Sequence, residues 1–481
     1  MSCAPRRTSG KVPDMTTNSV QAAFDALSAA FARDVNPSLK TRLAWLSNVE
    51  SALLQRQGDA VAALSADFGV RAPEETLVAE VFLVLSAIRH LKKHVDDWMR
   101  VEPRAVSLAF APGRAEVRPM PLGVVGVIAP WNYPLQLSLL PVVTALAAGN
   151  RVLLKPSEFT PSTNAFVRSL LTQALPEHVV TVVEGAAEVS SQVASLPLGH
   201  LLFTGSTAVG RKVMAAAAQN LTPVTLELGG KSPAIVGKCD LDKAALSIMT
   251  GKLYNAGQTC IAPDYALVPR ALEEAFVRAC VAAASKLYPT WGSNPDATSV
   301  INAHHYARLE ALVAGAGDAK VTRTHAEDSD STRRRLVPCI VQSAPDASAI
   351  MQEEIFGPLL PVVPYDTLDE AIAYVRARPQ PLALYLFEKS GERIEHVLNS
   401  CVAGGVTVND TMLHIAQDDL PFGGVGPSGM GAYHGKEGFL TFTKMVPVFH
   451  QSALNATGLL RPPYGKLVRR MIPALLRGWL D

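Results

Sequence analysis

The sequence predicts an α/β protein built on parallel sheets with helices packed on their faces. Between residue 124 and about residue 240, short apolar runs recur, and helical segments separate several of them. A second series of the same kind follows from about residue 241. The length of 481 residues corresponds to about three domains, at ~150 residues each, and the hydrophobic fraction of 48% supplies a large core.

The N-terminal region is predicted to be helical from residue 20 to about residue 100. Phe24, Leu27 and Phe31 fall on one helical face. A second face follows, on which apolar residues are spaced by three and four positions: 39, 43, 46, 49 and 53. This spacing is that of amphipathic helices.

The segment between Arg118 and Arg151 contains no charged residue, a property that it shares with transmembrane helices. It also contains five prolines, which a continuous helix would not tolerate. The segment is therefore predicted to form a buried strand at 124–128, a loop at 129–134 and a buried helix at 135–148.

The remaining predicted elements follow the same patterns. The predicted strands are residues 152–154, 179–183, 201–203, 224–228, 234–236, 383–387 and 405–408. The predicted helices between and after them include residues 163–175, 209–219 and 272–287. The charged run at 324–335 is predicted to be a solvated surface loop.

The charge balance and the cysteines exclude several classes of function. The chain has 44 Lys and Arg against 43 Asp and Glu, a formal net charge of +1, so a nucleic-acid partner is not expected. Its six cysteines are scattered and form no CxxC pair. Neither a disulfide scaffold nor a metal site is therefore expected, and a reducing, cytoplasmic location is predicted.

A glycine-rich turn runs from Gly205 to Gly210 and follows an apolar run at the start of a helical pattern. Backbone amides at a helix N-terminus can bind a phosphate. The spacing matches neither the dinucleotide fingerprint GxGxxG nor a P-loop. A phosphate site and a plain strand-to-helix turn both remain open on this pattern alone.

Cys260 lies in the sequence NAGQTCIAPD, among small and polar residues with Pro263 after it. Such a segment is typical of a loop, where a substrate can reach a thiol. The alternative for any single cysteine is a small buried apolar side chain.

Seven segments then occur in order along the chain and together resemble the NAD(P)-dependent aldehyde dehydrogenase superfamily. They are APWNYP at 129–134, KPSE at 155–158, FTGSTAVG at 203–210, LELGGKSP at 226–233, NAGQTCIAPDY at 255–265, EEIFGPLLPV at 353–362 and PFGGVGPSGMG at 421–431. The Ala-Pro-Asp after the cysteine resembles the class 3 branch, and residues 409–439 are similar to a bacterial group within it, the coniferyl aldehyde dehydrogenases.

The resemblance implies an enzyme that oxidises an aldehyde to a carboxylic acid through a thiohemiacetal and a thioester. Cys260 matches the family's nucleophile. Asn132 matches the amide that, with the Cys260 backbone N–H, stabilises the oxyanion. Glu227 matches the base that activates water, and its presence favours hydrolysis over transfer to coenzyme A.

The resemblance also implies NAD as cofactor, with NADP possibly accepted as well. Lys155 and Glu158 match the contacts to the adenosine ribose, where a carboxylate repels a 2′-phosphate. The other matching residues are, around the pyrophosphate, Gly205, Ser206 and Gly210 and, at the nicotinamide ribose, Glu354 and Phe356.

The expected substrate is coniferyl aldehyde, oxidised to ferulate. Tyr133, Thr411, His414 and Tyr433 are the candidates for the aldehyde tunnel, where aromatic walls suit a flat substrate. These side chains could equally fill core space. A medium- or long-chain aliphatic aldehyde is the alternative substrate, and a non-catalytic relative and a cofactor-free thiol esterase are the alternatives from other classes.

The implied domain organisation has three parts and two tails. The NAD-binding domain spans 19–113 and 123–226, the catalytic domain 227–409, and the oligomerisation element, which implies a homodimer, 114–122 and 410–458. Residues 1–18 lack the apolar segment of a secretory signal and are predicted to form a disordered tail, within which Met1 and Met15 are both candidate starts.

The last part, residues 459–481, is a basic tail in which Val468, Ile472, Leu475 and Trp479 could share a helix face. Pro473 interrupts this run. The tail is expected to pack on the protein's own surface rather than on a membrane.

Overall fold

The strands and helices alternate along most of the chain, as the apolar runs predict. The structure is a computed structural model that describes residues 16–107, 110–455 and 457–476. Its helices are α1 (Thr16–Arg33), α2 (Leu39–Gln55), α3 (Gln57–Phe68), α4 (Pro73–Thr76), α5 (Leu83–Trp98), α6 (Gln136–Ala147), α7 (Pro161–Ala174), α8 (Ala187–Ala194), α9 (Thr207–Ala218), α10 (Leu241–Leu253), α11 (Glu273–Leu287), α12 (Ala303–Ala314), α13 (Ala349–Gln352), α14 (Leu368–Arg376), α15 (Gly391–Ser400), α16 (Gly435–Thr441) and α17 (Lys466–Leu475). A π-helical turn, Leu77–Phe82, joins α4 to α5.

The strands form three sheets. In chain order they are β1 (Glu102–Arg104), β2 (Arg114–Pro121), β3 (Val124–Ile128), β4 (Arg151–Lys155), β5 (Val180–Val182), β6 (His200–Gly205), β7 (Val224–Leu228), β8 (Pro233–Val236), β9 (Tyr265–Pro269), β10 (Lys320–Arg323), β11 (Cys339–Gln342), β12 (Leu359–Tyr365), β13 (Ala383–Phe387), β14 (Gly405–Val408), β15 (Gly429–Met430) and β16 (Thr443–His450).

The first sheet has the order β15-β7-β6-β3-β4-β5, and all of its neighbours are parallel except β15, which pairs with β7 antiparallel. Every residue of β3 and β4 is buried, which explains the apolar run of β3 and the apolar centre of β4 between Arg151 and Lys155. The chain adds β4 and β5 on one side of β3, and then β6 and β7 on the other. The carboxyl ends of β3 and β6 therefore flank a switch point, where α/β sheets bind ligands.

The second sheet has the order β10-β11-β12-β9-β8-β13-β14, with only the edge strand β10 antiparallel. The parallel α/β fold predicted from the sequence is thus confirmed in both series. The predicted strands 124–128, 224–228, 383–387 and 405–408 match β3, β7, β13 and β14 residue for residue.

The third sheet joins β2 along its whole length to β16, with Arg114 opposite His450 and Pro121 opposite Thr443. The short strand β1 pairs with the other edge of β2. Two segments far apart in the sequence, 114–121 and 443–450, therefore form one antiparallel unit.

Three local predictions need correction or fall outside the described residues. Helix α1 begins at Thr16, so the last three residues of the predicted tail 1–18 are helical, while residues 1–15, with both candidate starts, are not described. The run 324–335 has no regular strand or helix, but Thr324 and Arg335 are buried rather than solvated.

The C-terminal helix α17 continues through Pro473 instead of ending there. Pro473 cannot donate to the carbonyl of residue 469, and the helix ends two residues later, at Leu475. Val468 packs against the protein, whereas Ile472 is 40% exposed. Trp479 lies outside the described residues.

Within the described residues, none of the helices combines the length and the apolar character needed to cross a lipid bilayer. The uncharged segment before Arg151 instead forms β3, a loop and the fully buried helix α6, as predicted.

Candidate active site

Two cavities meet at Cys260. The first, of about 380 Å³, is lined by the π-helical turn, the start of α6, the end of α10 and the chain between 410 and 422. The second, of about 230 Å³, opens at the carboxyl ends of β3 and β6. Thr204, Glu227 and Cys260 line both cavities. A thiol at this junction is reachable from two sides.

The loop that carries Cys260, between α10 and β9, has a strained backbone. Asn255, Ala256 and Gly257 have φ angles of 51°, 52° and 75°, in the left-handed region. A Cβ on Gly257 would lie 2.3 Å from the backbone oxygen of Gly357, so only glycine fits there. Such strain persists only where the surrounding structure holds it.

Buried hydrogen bonds hold this loop in place. Gln258 Nε2 donates to the Asn255 and Ser299 oxygens at 2.9 and 3.1 Å, and its Oε1 accepts from the Ile301 N–H at 2.9 Å. Tyr385, on β13, donates its hydroxyl proton to the Ile261 oxygen. The nucleophile segment is thereby fixed to the second sheet.

Asn132 lies beside this loop and lines the second cavity. Its Nδ2 donates one proton to the Gln258 oxygen at 3.1 Å. A primary amide carries two protons, so this bond leaves one of them for a ligand. The neighbouring Tyr133 hydroxyl lies 2.7 Å from Thr259 Oγ1.

Glu227 is the penultimate residue of β7 and lies opposite Gly429 of β15. Both of its carboxyl oxygens are buried without a hydrogen-bond partner among the described residues. Burial raises the pKa of Glu227 well above its usual value. Burial also raises the pKa of the Cys260 thiol, and the nearby carboxyls of Glu354 and Glu227 add to this shift. Burial thus stabilises the protonated form of each group relative to its charged form.

The predicted adenosine-ribose pair lies at the carboxyl end of β4. Lys155 Nζ is 2.8 Å from Glu158 Oε2, with Lys155 buried and Glu158 partly exposed. The predicted pyrophosphate turn follows β6, where Ser206 caps α9 by accepting from the Val209 N–H at 3.4 Å.

Glycines allow two close approaches in this region. Gly205 ends β6. A Cβ on Gly210 would lie 2.7 Å from Leu228 Cδ2, so the glycine lets α9 approach β7 closely. At Gly229 a Cβ would lie 2.0 Å from Glu354 Oε2. The absence of a side chain at Gly229 is what lets the Glu354 carboxyl approach the cavity.

Glu354 and Phe356 line the second cavity, as the resemblance implies. Burial raises the pKa of Glu354 to about 8, with nearby Asp264 adding to the shift. Its Oε1 is buried and has no partner among the described residues. Phe356 has a φ of 50° and packs edge-on against Trp131, with ring centroids 5.3 Å apart.

Sequence reasoning missed two residues of the second cavity, His305 and Arg308 on α12. The His305 ring lies 4.9 Å from the Trp131 ring, and its Nδ1 is buried without a partner in the described chain. Arg308 Nη1 donates to the backbone oxygen of Glu354 at 3.3 Å. Nothing in the sequence HHYAR distinguishes these side chains from an ordinary polar helix face.

Three of the four predicted tunnel residues, Tyr133, Thr411 and Tyr433, line the first cavity. His414 does not line it. Its Nδ1 lies 2.8 Å from Thr407 Oγ1, and its ring stacks on Phe422. A Cβ on Gly405 would meet this ring at 2.6 Å, so His414 occupies the space left by that glycine.

The lining of the first cavity contains carboxyls but no lysine, arginine or histidine. Phe422, which the sequence did not single out, supplies an aromatic wall next to Tyr433, with ring centroids 6.0 Å apart. The cavity is therefore an apolar tunnel that ends at a thiol and a carboxyl group.

The sequence model of the Aldehyde dehydrogenase family matches residues 2–448. The chain belongs to the aldehyde dehydrogenase family. It is similar to a probable coniferyl aldehyde dehydrogenase of Pseudomonas aeruginosa, with 47% identity over 95% of this chain and 96% of the relative. It is also 39% identical to aldehyde dehydrogenase family 3 member A2 of Mus musculus, over 88% of this chain and 86% of the relative.

Among solved structures, the substrate-bound state of Staphylococcus aureus AldH superposes with a TM-score of 0.90 and 36% identity, over 95% of this chain and 99% of that chain. The aldehyde dehydrogenase-like fold and the class 3-like resemblance are thus confirmed. The protein is an enzyme of a family that oxidises aldehydes with NAD(P).

Proposed function

We propose that this aldehyde dehydrogenase oxidises coniferyl aldehyde to ferulate with NAD⁺, and that Cys260, Glu227 and Asn132 perform the chemistry. The observation that carries the proposal is the junction of two cavities at Cys260 and Glu227. One cavity is apolar and suits the aldehyde. The other presents unpaired polar atoms that suit a dinucleotide.

The first step forms a bond between Cys260 Sγ and the carbonyl carbon. The thiol proton passes to Glu227, whose two oxygens have no other partner in the described chain. The carbonyl oxygen takes up negative charge and accepts the free Asn132 Nδ2 proton, together with the Cys260 backbone N–H. Loss of one such donor typically lowers the rate by ~10²–10³-fold.

The cofactor would reach from the second cavity, at its nicotinamide end, to Lys155 and Glu158, which lie outside the lining of that cavity. Lys155 and Glu158 would hold the adenosine ribose, the Gly205–Gly210 turn the pyrophosphate, and Glu354 the nicotinamide ribose through its unpaired Oε1. When bound there, the oxidised nicotinamide supplies the hydride acceptor. Glu158 favours NAD⁺ over NADP⁺ because its carboxylate repels a 2′-phosphate.

Loss of the hydride leaves a thioester on Cys260. Glu227 first releases the thiol proton to solvent and then removes a proton from a water molecule, and the resulting hydroxide attacks the thioester carbonyl. The carboxylic acid leaves and the thiol is restored. A raised pKa suits both proton transfers, because it makes the Glu227 carboxylate a stronger proton acceptor.

The shape and charge of the tunnel support a flat, neutral substrate. Tyr133, Phe422 and Tyr433 contribute aromatic surface. Since the lining carries no cationic side chain, it offers no anchor to an anionic semialdehyde.

The test is the initial rate of NADH formation with coniferyl aldehyde, hexanal and succinic semialdehyde at matched concentrations, with Cys260→Ala as the blank. The highest kcat/KM is expected for coniferyl aldehyde and the lowest for the semialdehyde. A higher kcat/KM for succinic semialdehyde would refute the neutral-tunnel argument.

A second candidate substrate class is a longer aliphatic aldehyde. It is favoured by the apolar rim of the tunnel, where Val78, Phe82 and Leu413 are each more than half exposed. A hexanal preference in the same assay would support this candidate and leave the proposed chemistry intact.

We also propose that the chain forms a homodimer through the three-stranded sheet of β1, β2 and β16. Phe110 and Phe449 form an exposed aromatic pair beside this sheet, with ring centroids 6.4 Å apart. Light scattering after size exclusion is expected to show twice the chain mass, and a monomer across micromolar concentrations would refute the dimer.

A further inference from the structure

A buried ionic cluster lies beneath the two catalytic loops. Arg71 sits between α3 and α4, Glu75 on α4 and Glu80 in the π-helical turn, and no side chain of the three is more than 5% exposed. Arg71 Nη2 is 2.9 Å from Glu80 Oε1, and its Nε is 3.4 Å from Glu75 Oε1. Removing three ionisable groups from water costs free energy that their mutual attraction does not fully offset. The hydrogen bonds that these groups make outside the cluster therefore indicate its role.

Each member of the cluster contacts a backbone group of a catalytic segment. Arg71 Nη1 donates to the Asn132 oxygen at 3.3 Å. Glu75 Oε2 accepts from the N–H of Asn255, a left-handed residue of the nucleophile loop, at 3.2 Å. Glu80 Oε2 accepts from two N–H groups at the start of α6, those of Leu135 at 2.8 Å and Gln136 at 3.1 Å.

The two loops are also joined directly at the same point. Asn255 Nδ2 donates to the Asn132 oxygen at 2.9 Å, so that oxygen accepts from both Asn255 and Arg71. The Arg71 guanidinium lies over the Tyr133 ring, 5.1 Å from its centroid. The segment that carries Asn132 is therefore contacted both by Arg71 and by Asn255 of the nucleophile loop.

We propose that Arg71, with Glu75 and Glu80, positions the Asn132 amide relative to Cys260 Sγ, and that the cluster acts on the rate of the chemical step. None of the three side chains is a catalytic residue, because they reach the substrate only through Asn132 and the Cys260 loop. The inference rests on the proposed roles of Asn132 and Cys260.

Two substitutions of Arg71 test the proposal. Arg71→Met removes the charge and the bond to the Asn132 oxygen. Arg71→Lys keeps the charge but lacks the planar fork that reaches a carbonyl and two carboxylates at once. For both we expect kcat to fall about 10- to 100-fold, since a misplacement of ~1 Å can cost ~10²-fold. The KM for the aldehyde and the Kd for NAD⁺ are expected to stay within about twofold.

A double variant provides the readout that a merely structural role would not change. If Arg71 acts through Asn132, adding Arg71→Lys to Asn132→Ala lowers kcat by less than about twofold, because the group being positioned is already absent. If the two losses multiply, Arg71 acts independently of Asn132 and the proposal is wrong.

Arg42→Met is the matched control. Arg42 is also a buried arginine that donates to a backbone oxygen, that of Ala147, but at the opposite end of α6. We expect a lower melting temperature and an unchanged kcat at 25 °C. A loss of kcat equal to that of the Arg71 variants would show that any buried arginine has this effect, which would overturn the proposal.

The variants are compared with the wild-type enzyme on whichever aldehyde that enzyme oxidises fastest. A wild-type enzyme without activity on coniferyl aldehyde would refute the proposed substrate but not the positioning role. Wild-type kcat in a folded Arg71→Lys variant would refute the positioning role alone. If Arg71→Met does not fold, Arg71→Lys and its double variant decide the outcome.

Discussion

At the scale of single residues, burial controls the chemistry of the site. Cys260 and Glu227 both have raised pKa values because protein surrounds them, and Glu227 has no hydrogen-bond partner in the described chain to compensate. Burial favours the thiol over the thiolate at Cys260, and the raised pKa of Glu227 makes its carboxylate a stronger acceptor for the thiol proton. The resting site is thus protected from indiscriminate reactions of a free thiolate.

The cofactor preference also belongs to this scale. Glu158→Ala removes the carboxylate that is expected to bind the ribose hydroxyls and to repel a 2′-phosphate. The ratio of kcat/KM for NAD⁺ to that for NADP⁺ should fall by about tenfold, which corresponds to ~1.4 kcal/mol. Both constants are measured by steady-state kinetics. Glu188→Ala, an exposed glutamate in the first turn of α8, serves as the control, and equal ratios in both variants would place Glu158 away from the ribose.

At the scale of elements, the nucleophile loop depends on backbone conformations that most residues avoid. Gly257→Ala places a Cβ at a φ of 75° and against the Gly357 oxygen. We expect the free energy of unfolding to fall by ~1–3 kcal/mol and kcat to fall with it. Gly58→Ala, in α3 with open space around its Cβ, should instead stabilise the protein by ~0.5–1 kcal/mol. Urea unfolding measures the free energy of unfolding, and the rate of NADH formation measures kcat. If Gly257→Ala unfolds with the same free energy as the wild type, the loop adapts to the added Cβ and the prediction is wrong.

The histidines of the segment after β14 are expected to make the stability of the fold depend on pH. Phe422 stacks between His414 and His434, with ring centroids 6.0 and 5.2 Å away. Burial lowers the pKa of His414 to about 4 and that of His434 to about 3, against a usual value of 6.5. Between pH 6.5 and these values the unfolded chain binds protons that the folded chain does not. Stability is therefore full above pH 6.5 and declines as the pH falls.

His434→Gln removes one of the two groups that bind a proton in the unfolded chain but not in the folded chain. The slope of unfolding free energy against pH, measured by urea unfolding between pH 6 and pH 4, should decrease by up to ~1.4 kcal/mol per pH unit. His178→Gln, at an exposed position, is the matched control. If both variants keep the wild-type slope, His434 does not contribute to the acid sensitivity.

At the scale of the whole molecule, several of the strands that are buried on both faces could be predicted from their apolar runs, although the equally buried β11 was not among the predicted strands. β3 and β13 are unbroken apolar runs, and their bounds follow directly from the sequence. β12 was not predicted, because Pro361 and Pro364 argue against a central strand, yet it lies between β11 and β9. Edge strand β10 is polar and short, and it carries too little apolar pattern to stand out.

The proposed catalytic and cofactor-binding residues could be named from the sequence where they lie in continuous segments, but not where only packing brings a side chain to the candidate site. The cysteine loop and the glycine turn are continuous segments, so their residues could be named from the sequence. Arg71 and His305 contribute from helices and connections whose local sequences are ordinary, and only the folded chain brings them to the site. The same holds for His414, whose side-chain direction depends on the space beside Gly405.

The central claim is that Cys260 carries the acyl group and Glu227 releases it. The most direct measurement is the intact mass of Glu227→Gln after mixing with coniferyl aldehyde and NAD⁺ and quenching in acid, with NADH followed in parallel. We expect one NADH per active site in a single turnover, slower than in the wild type because glutamine cannot take the thiol proton. We also expect a mass gain of one feruloyl group, located on the peptide that contains Cys260 and absent when Cys260→Ala is added. Steady turnover by Glu227→Gln without a mass gain, or an acyl group on another residue, would contradict the claim.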